Sequence, residues 1–301
     1  MSQNLLQVTN LSKAYGNHYA VQDVSFALEK NSSTALIGPN GAGKTTTLSM
    51  LAGLLKPSSG NITIHGIDTP DMRKDIGFLP QYPQFYSWLS AIEYTEMAAR
   101  LNGVETKKAR ELADKTLDFV GLGESKKKKT GTFSGGMKQR LGLAQAIVHK
   151  PSLLLLDEPI SALDPLGRRE ILNLLKELQQ TTTILYSTHI LNDAEEMTDQ
   201  LLFLQKGRLV EVGSLRSIRE KYANPSYRLH FASSEEALKY EGLYNDEIKR
   251  NKEVVTIPIT ENHPSMQQVL STLTTKNWDV LKVEKSSASL EEIFLQVVNK
   301  G

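Results

Sequence analysis

The chain has 301 residues, 40% hydrophobic and 23% charged, enough apolar material for about two ordinary domains and too much for a largely disordered chain. Lysine plus arginine numbers 35 against 34 acidic residues, a net charge of +1, without the basic excess of a dedicated nucleic-acid binder. Cysteine is absent, which excludes a disulfide scaffold, a thiolate metal site and a cysteine nucleophile and suits a reducing compartment. Met1-Ser2-Gln3-Asn4 lacks the basic start and apolar stretch of a signal peptide. The longest purely aliphatic run is Leu153 to Leu156, far below the roughly 20 apolar residues of a membrane-spanning helix.

In chain order, Leu5-Leu6-Gln7-Val8 and Ala20 to Leu28 form short apolar pieces, the second with the period-two pattern of a strand. Ser33 to Ile37 predicts a buried strand that ends at a glycine. A glycine-rich turn follows, then a helix from about Lys44 to Leu54, closed by Gly53 and Pro57-Ser58-Ser59-Gly60. Strands are expected at Asn61–His65 and Ile76–Leu79. From about 88 to 148 the pattern turns helical, with Ala109, Leu112, Ala113, Leu117 and Val120 at a period near 3.6 until Gly121 and Gly123 break it. Beyond 151, strand and helix alternate again: a strand at 152–157, a helix carrying Ile171, Leu172, Leu174, Leu175 and Leu178, a strand at Thr183–Ser187, a helix from about 190 to 197, and strands at 201–204 and 208–211. Such alternation predicts a parallel sheet with the helical block inserted into it. Ala223-Asn224-Pro225-Ser226 reads as a linker. Beyond it, Ser233/Glu236, Ser265/Gln268 and Ser289/Glu292 are capping boxes, with strands expected at 227–231, 253–259 and 279–285. The expected division is therefore 1–222, with a helical part over about 82–148, and a small α/β unit at 223–301.

Three motifs carry chemistry. Gly38-Pro39-Asn40-Gly41-Ala42-Gly43-Lys44-Thr45 has the spacing G-x-x-x-x-G-K-[ST] between a predicted strand and helix. Its glycines let backbone N–H groups turn around a polyphosphate, Lys44 reaches the β- and γ-phosphates, and the Thr45 hydroxyl suits Mg²⁺. Leu153 to Pro159 is an apolar strand delivering two adjacent carboxylates, Asp157 for Mg²⁺ through water and Glu158 to polarise an attacking water. Ser134-Gly135-Gly136 opens a helix, a second N-terminus suited to an anion.

In this order the motifs resemble those of the ATP-binding cassette (ABC) family over about residues 3–215. The resemblance implies a RecA-like P-loop NTPase core with an antiparallel β subdomain and an inserted helical subdomain, followed by the small C-terminal α/β domain. It implies ATP and Mg²⁺ as ligands, with Thr46 beside Lys44 and Thr45 at the phosphates. Gln81 matches the loop that senses Mg²⁺ and the γ-phosphate, and Ser161-Ala162-Leu163-Asp164 the loop that communicates across a dimer. His189 matches the switch histidine and Tyr15 the aromatic residue that stacks on adenine. One position departs from the family pattern: Met137 stands where glutamine is usual, and a thioether cannot repeat the amide's hydrogen bonds. The Gly-Gly-Met form, with Ser289-Leu290-Glu291-Glu292-Ile293-Phe294, resembles the branch that serves separate exporter permeases.

The implied function is the ATPase subunit of a transporter, an exporter, at the cytoplasmic face of the membrane. Its implied partners are a second cassette and an integral membrane permease, with no nucleic acid. The competing classes are a soluble cassette ATPase acting on nucleic acid or ribosomes, and a regulatory cassette without hydrolysis. Tyr82, Pro83, Phe85, Tyr86 and Trp88 divide between core and a patch for a permease helix, and Lys126–Lys129 between a solvated loop and attraction to anionic headgroups. The stripe Leu290, Ile293, Phe294 and Val297 is expected either to touch a second cassette or to pack on its own domain.

Overall fold

The first two strands are longer than their apolar patches. In a computed structural model that describes residues 4–66, 72–161, 163–222, 225–243, 248–259, 265–276, 278–286 and 289–300, β1 (Asn4–Tyr15) and β2 (His18–Glu29) form an antiparallel hairpin. Bulges between Val8 and Leu11 and between Leu11 and Lys13 shift the register, so one face does not keep a strict period of two. β4 (Ser59–Ile64) completes this three-stranded sheet, in the order β2-β1-β4.

The central sheet has the order β5-β6-β7-β3-β8-β9. Its strands are β3 (Ser33–Ile37), β5 (Ile76–Leu79), β6 (Leu153–Asp157), β7 (Thr183–Thr188), β8 (Gln200–Gln205) and β9 (Arg208–Ser214). β3, β5, β6, β7 and β8 run parallel, and β9 pairs antiparallel with β8. Every residue of β3, β6 and β7 is buried, as expected of parallel strands covered on both faces. Helices α1 (Lys44–Leu51), α5 (Pro165–Gln179) and α6 (Leu191–Met197) belong to this layer. α1 stops three residues earlier than the sequence predicts, because Gly53 turns into the left-handed region (φ 69°) and Leu54 N–H folds back onto Ser49 O.

The inserted helices are α2 (Ala91–Leu101), α3 (Thr106–Phe119) and α4 (Gly135–Ile147). Ser90 and Glu93 form a full capping box on α2, and the Ser90 hydroxyl and N–H, both donating to Glu93 Oε2, together with Lys129 pull the Glu93 carboxyl down to about 2. Two of the four consecutive lysines have carboxylate partners: Lys126 bridges Asp114 and Asp118 at 2.8 Å each, and Lys129 lies 3.4 Å from Glu93.

Contacts divide the chain into Met1–Leu215 with Val297–Gly301, and Arg216–Gln296. The second unit has the sheet order β11-β12-β10-β13, all antiparallel, from β10 (Ser226–Phe231), β11 (Lys249–Asn251), β12 (Val254–Pro258) and β13 (Val280–Ser286). Its helices include α7 (Leu215–Lys221), α8 (Ser234–Glu241) and α9 (Met266–Thr275), and α10 (Leu290–Lys300) closes the chain. Ser265/Gln268 and Ser289/Glu292 form both bonds of a capping box, and Ser233 Oγ accepts from Glu236 N–H. Of the expected linker, Ala223 and Asn224 lie outside the described residues, and Ser226 already begins β10. Of the expected stripe, Leu290, Ile293 and Val297 are buried and Phe294 is half-buried.

Candidate functional site

The motif residues converge because β3, β7 and β6 are neighbours whose ends lie level. Ile37 pairs with Thr188, and Asp157 pairs with Ser187. The phosphate-loop motif leaves β3, the two carboxylates leave β6, and β7 between them ends just before His189. All three emerge at the carboxyl edge of the parallel strands, where open α/β sheets place their ligands.

The loop 38–43 is held close against its surroundings. A Cβ on Gly38 would stand 2.2 Å from Leu204 O, and one on Gly43 (φ 104°) 2.5 Å from Ala20 O. Glycine is therefore required at both positions. Lys44 Nζ donates to Gly38 O at 2.8 Å and Pro39 O at 3.2 Å, and lies 3.9 Å from Glu158 Oε1. Burial pushes the Lys44 ammonium below the usual lysine range, against the opposing pull of Glu158 and Asp157. A cation so desolvated and only partly compensated suits an anion.

Glu158 is the hub. Its backbone is left-handed (φ 48°), a strained state for glutamate of the kind that clusters at functional sites. Gln81 Nε2 donates to Glu158 Oε2 at 3.2 Å, and His189 Nδ1 stands 3.1 Å from the same oxygen. Ser187, fully buried, accepts from Glu158 N–H at 2.9 Å and donates to Asp157 Oδ1 at 2.6 Å. The turn is pinned again by Ser161 Oγ, which donates to Glu158 O, and by Gln139 Nε2, which donates to Pro159 O at 2.8 Å.

A cavity of about 520 Å³ opens over these groups, lined by Asn40, Gly41, Gly43, Lys44, Thr45, Thr46, Gln81 and Glu158. Its remaining wall is His18, Tyr19, Ala20, Lys206 and Gly207. Tyr15 is not among the lining residues; it is exposed near the end of β1, with Lys13 Nζ 5.2 Å from its ring centre, and Tyr19 is the aromatic side chain on the wall. Asp157 lies behind the cavity, buried and bonded to Ser187.

Ser134, Gly136 and Asp164 gather elsewhere. Ser134 Oγ caps α4 by accepting from Met137 N–H at 3.3 Å, and Asp164 Oδ1 caps α5 by accepting from Gly167 N–H at 2.9 Å. Both residues and Gly136 line a second depression of about 330 Å³, which shares no lining residue with the first. Gly135, the first residue of α4, is exposed beside them. Ala162, between Ser161 and Leu163, lies outside the described residues. One chain thus presents the two halves of its motif set on separate surfaces.

Sequence reading missed Ser187, Gln139, Tyr19 and Lys206. Gln139 stands between Lys138 and Arg140, and Ser187 is followed by Thr188 and His189, so neither stands out from its polar neighbours. Ser187→Ala is expected to lower the turnover number for ATP about 10- to 100-fold, the equivalent of one hydrogen bond to a charged group, with little change in nucleotide affinity. Steady-state phosphate release and nucleotide titration check this, and unchanged turnover would show that the hydroxyl is dispensable.

Comparison with known proteins gives consistent matches. The ABC transporter family matches residues 21–161, and the C-terminal domain of DrrA1-3-like ATP-binding proteins matches 213–298. An uncharacterized ABC transporter ATP-binding protein, YxlF of Bacillus subtilis, is 43% identical over 98% of this chain and 100% of its own. The bacitracin transport ATP-binding protein BcrA of Bacillus licheniformis is 34% identical over 99% of this chain and 98% of its own. Among solved structures, a dimeric post-hydrolysis state of the cassette MJ0796 with ADP and Pi superposes with a TM-score of 0.65 at 28% identity, covering 70% of this chain and 99% of that one.

Proposed function

The chain belongs to the ATP-binding proteins of ABC transporters, and from that premise we propose that it drives an exporter whose permease is a separate membrane protein. The observation that carries the reading is the separation of the two depressions. Lys44 and Glu158 line one, Ser134 and Asp164 the other, so a complete site needs two chains arranged head to tail. Each ATP then lies between the phosphate loop of one cassette and Ser134-Gly135-Gly136 of its partner.

In this arrangement Lys44 and the loop N–H groups hold the β- and γ-phosphates, with Thr46 beside them. Thr45, Gln81 and Asp157 are an all-oxygen donor set of the kind that holds Mg²⁺ together with phosphates and water. When bound, Mg²⁺ would neutralise charge on the transferring phosphoryl group. Glu158 takes a proton from the attacking water, and His189, in contact with Glu158, reaches the γ-phosphate. Tyr15 or Tyr19 supplies the face for the base. Hydrolysis removes the ligand between the two cassettes and reopens them. Positioning and charge stabilisation supply most of the rate in phosphoryl transfer.

The permease contact is placed after Gln81. Tyr82, Tyr86 and Trp88 are 68%, 50% and 66% exposed, whereas Phe85 packs its ring edge-on against Tyr94 at 5.0 Å. Covering each exposed ring would stabilise a complex by on the order of 2–3 kcal/mol. The export direction rests on the similarity to BcrA, a bacitracin transport protein, and on the DrrA1-3-like tail.

The test is purification of the tagged chain from detergent-solubilised membranes. A multi-span membrane protein is expected to copurify, and to be lost in Tyr86→Glu/Trp88→Glu while ATP binding persists. Recovery of ribosomal or nucleic-acid partners instead would contradict the transport reading.

A further inference from the structure

His189 is half exposed and follows the end of β7 directly. Locally, Thr188 Oγ1 accepts from Ile190 N–H at 2.9 Å, which shapes the turn but not the position of the helix beyond it. That helix, α6, is short, and it is tied to α5 by three ion pairs. Arg169 Nη1 donates to Glu196 Oε2 at 2.6 Å, and Lys176 Nζ donates to Glu196 Oε1 at 2.7 Å. Arg168 Nη1 stands 4.0 Å from Asp193 Oδ2.

The two rungs differ in kind. Glu196 holds two full hydrogen bonds, and Lys176 above all keeps its carboxyl below the usual range. Asp193 is buried, its Oδ2 has no hydrogen-bond partner, and neither has the buried Nε of Arg168. Burial pushes the Asp193 carboxyl up despite Arg168. A long pair of this sort is poised to tighten or open with a small shift of α6. α5 itself starts at Asp164, the cap that lies in the second depression beside Ser134.

We propose that the Arg169–Glu196–Lys176 and Arg168–Asp193 ladder between α5 and α6 is a positioning device that holds His189 against Glu158 and ties that contact to the Asp164 turn. Glu196 and Asp193 are positioning residues; neither touches the cavity. Movement of the Asp164 turn against a second cassette then reaches His189 through packed, charged helix faces within one chain. The inference rests on the role given to His189 above.

The experiment uses the full chain with ¹⁵N-labelled histidine, whose six imidazoles are read in long-range spectra, with His189 assigned by its loss in His189→Ala. In Glu196→Gln the His189 signals are expected to move towards those of a free imidazole. The signals of His149, anchored on Ile76 O by Nε2, should stay in place. Turnover should fall about tenfold with the KM for ATP nearly unchanged. Arg169→Ala/Lys176→Ala, which breaks the same rung from exposed positions, should reproduce both effects, and Arg169→Lys should restore most of the rate. In a His189→Ala background, Glu196→Gln should cost nothing further. Unmoved His189 signals, or an equal loss of rate without the histidine, would overturn the ladder's role. Wild-type turnover in His189→Ala alone would instead overturn the role of the histidine, while the shift of its signals in Glu196→Gln still reports what holds the ring.

Discussion

Lys44→Ala is expected to lower ATP hydrolysis at least about 10²-fold, the scale of losing one charged group aimed at a developing phosphoryl charge. The ammonium is the buried cation of the cavity, fixed by Gly38 O and Pro39 O and facing Glu158. Its removal leaves two loop carbonyls without a donor and the phosphates without their cation. Lys206, on the same cavity wall, is exposed and leaves a turn in the left-handed conformation (φ 48°), so it cannot take over the buried position. The core beneath, β3, β6 and β7, is fully buried and none of its pairing involves the lysine, so circular dichroism should be unchanged. Because burial lowers the Lys44 ammonium, wild-type ATP affinity should weaken as pH rises through that lowered value, earlier than an ordinary lysine would dictate. Phosphate release by the purified variant is the check, and wild-type turnover would remove Lys44 from the mechanism.

Glu158→Gln should have the other large effect, about 10² to 10⁴ in rate, because the amide keeps the side chain's shape and loses the proton acceptor. The left-handed turn is held through the backbone N–H by Ser187, which the substitution does not touch. Gln81 Nε2 can still donate to the amide oxygen in place of Glu158 Oε2. Lys44, Thr45 and Asp157 remain, so ATP should bind at least as well, with one negative charge fewer near the γ-phosphate. Nucleotide titration beside single-turnover phosphate release separates the two properties. Loss of binding together with rate would mean that Glu158 is structural.

Much of the cassette was legible because its chemistry is local. The phosphate loop needs glycine at Gly38 and Gly43 for close backbone approach, and Leu153–Leu156 is apolar because β6 is buried on both faces. Less legible was whatever depends on partners distant in sequence. β1 and β2 read as fragments because their bulges break the alternation. The three exposed residues of β11, Lys249–Asn251, carry no apolar signal, and their pairing with β12 makes them a strand. α7 was missed for its brevity, with Ile218 its one buried residue. The aromatic wall of the cavity is Tyr19 as the strands are arranged, although Tyr15 holds the familiar position in the motif order. Ser187 looked like any polar residue at a strand end until the register with Asp157 showed what it holds.

In the proposed arrangement ATP joins two copies of this chain at sites neither completes alone. Light scattering on a sizing column, with Glu158→Gln in the presence and absence of ATP and without a permease, tests it most directly. Unhydrolysed ATP bound by Lys44 of one chain and Ser134 of the other should hold the variant as a dimer, and without nucleotide it should elute as a monomer. A monomer under both conditions, with ATP shown to be bound, would contradict a self-paired cassette.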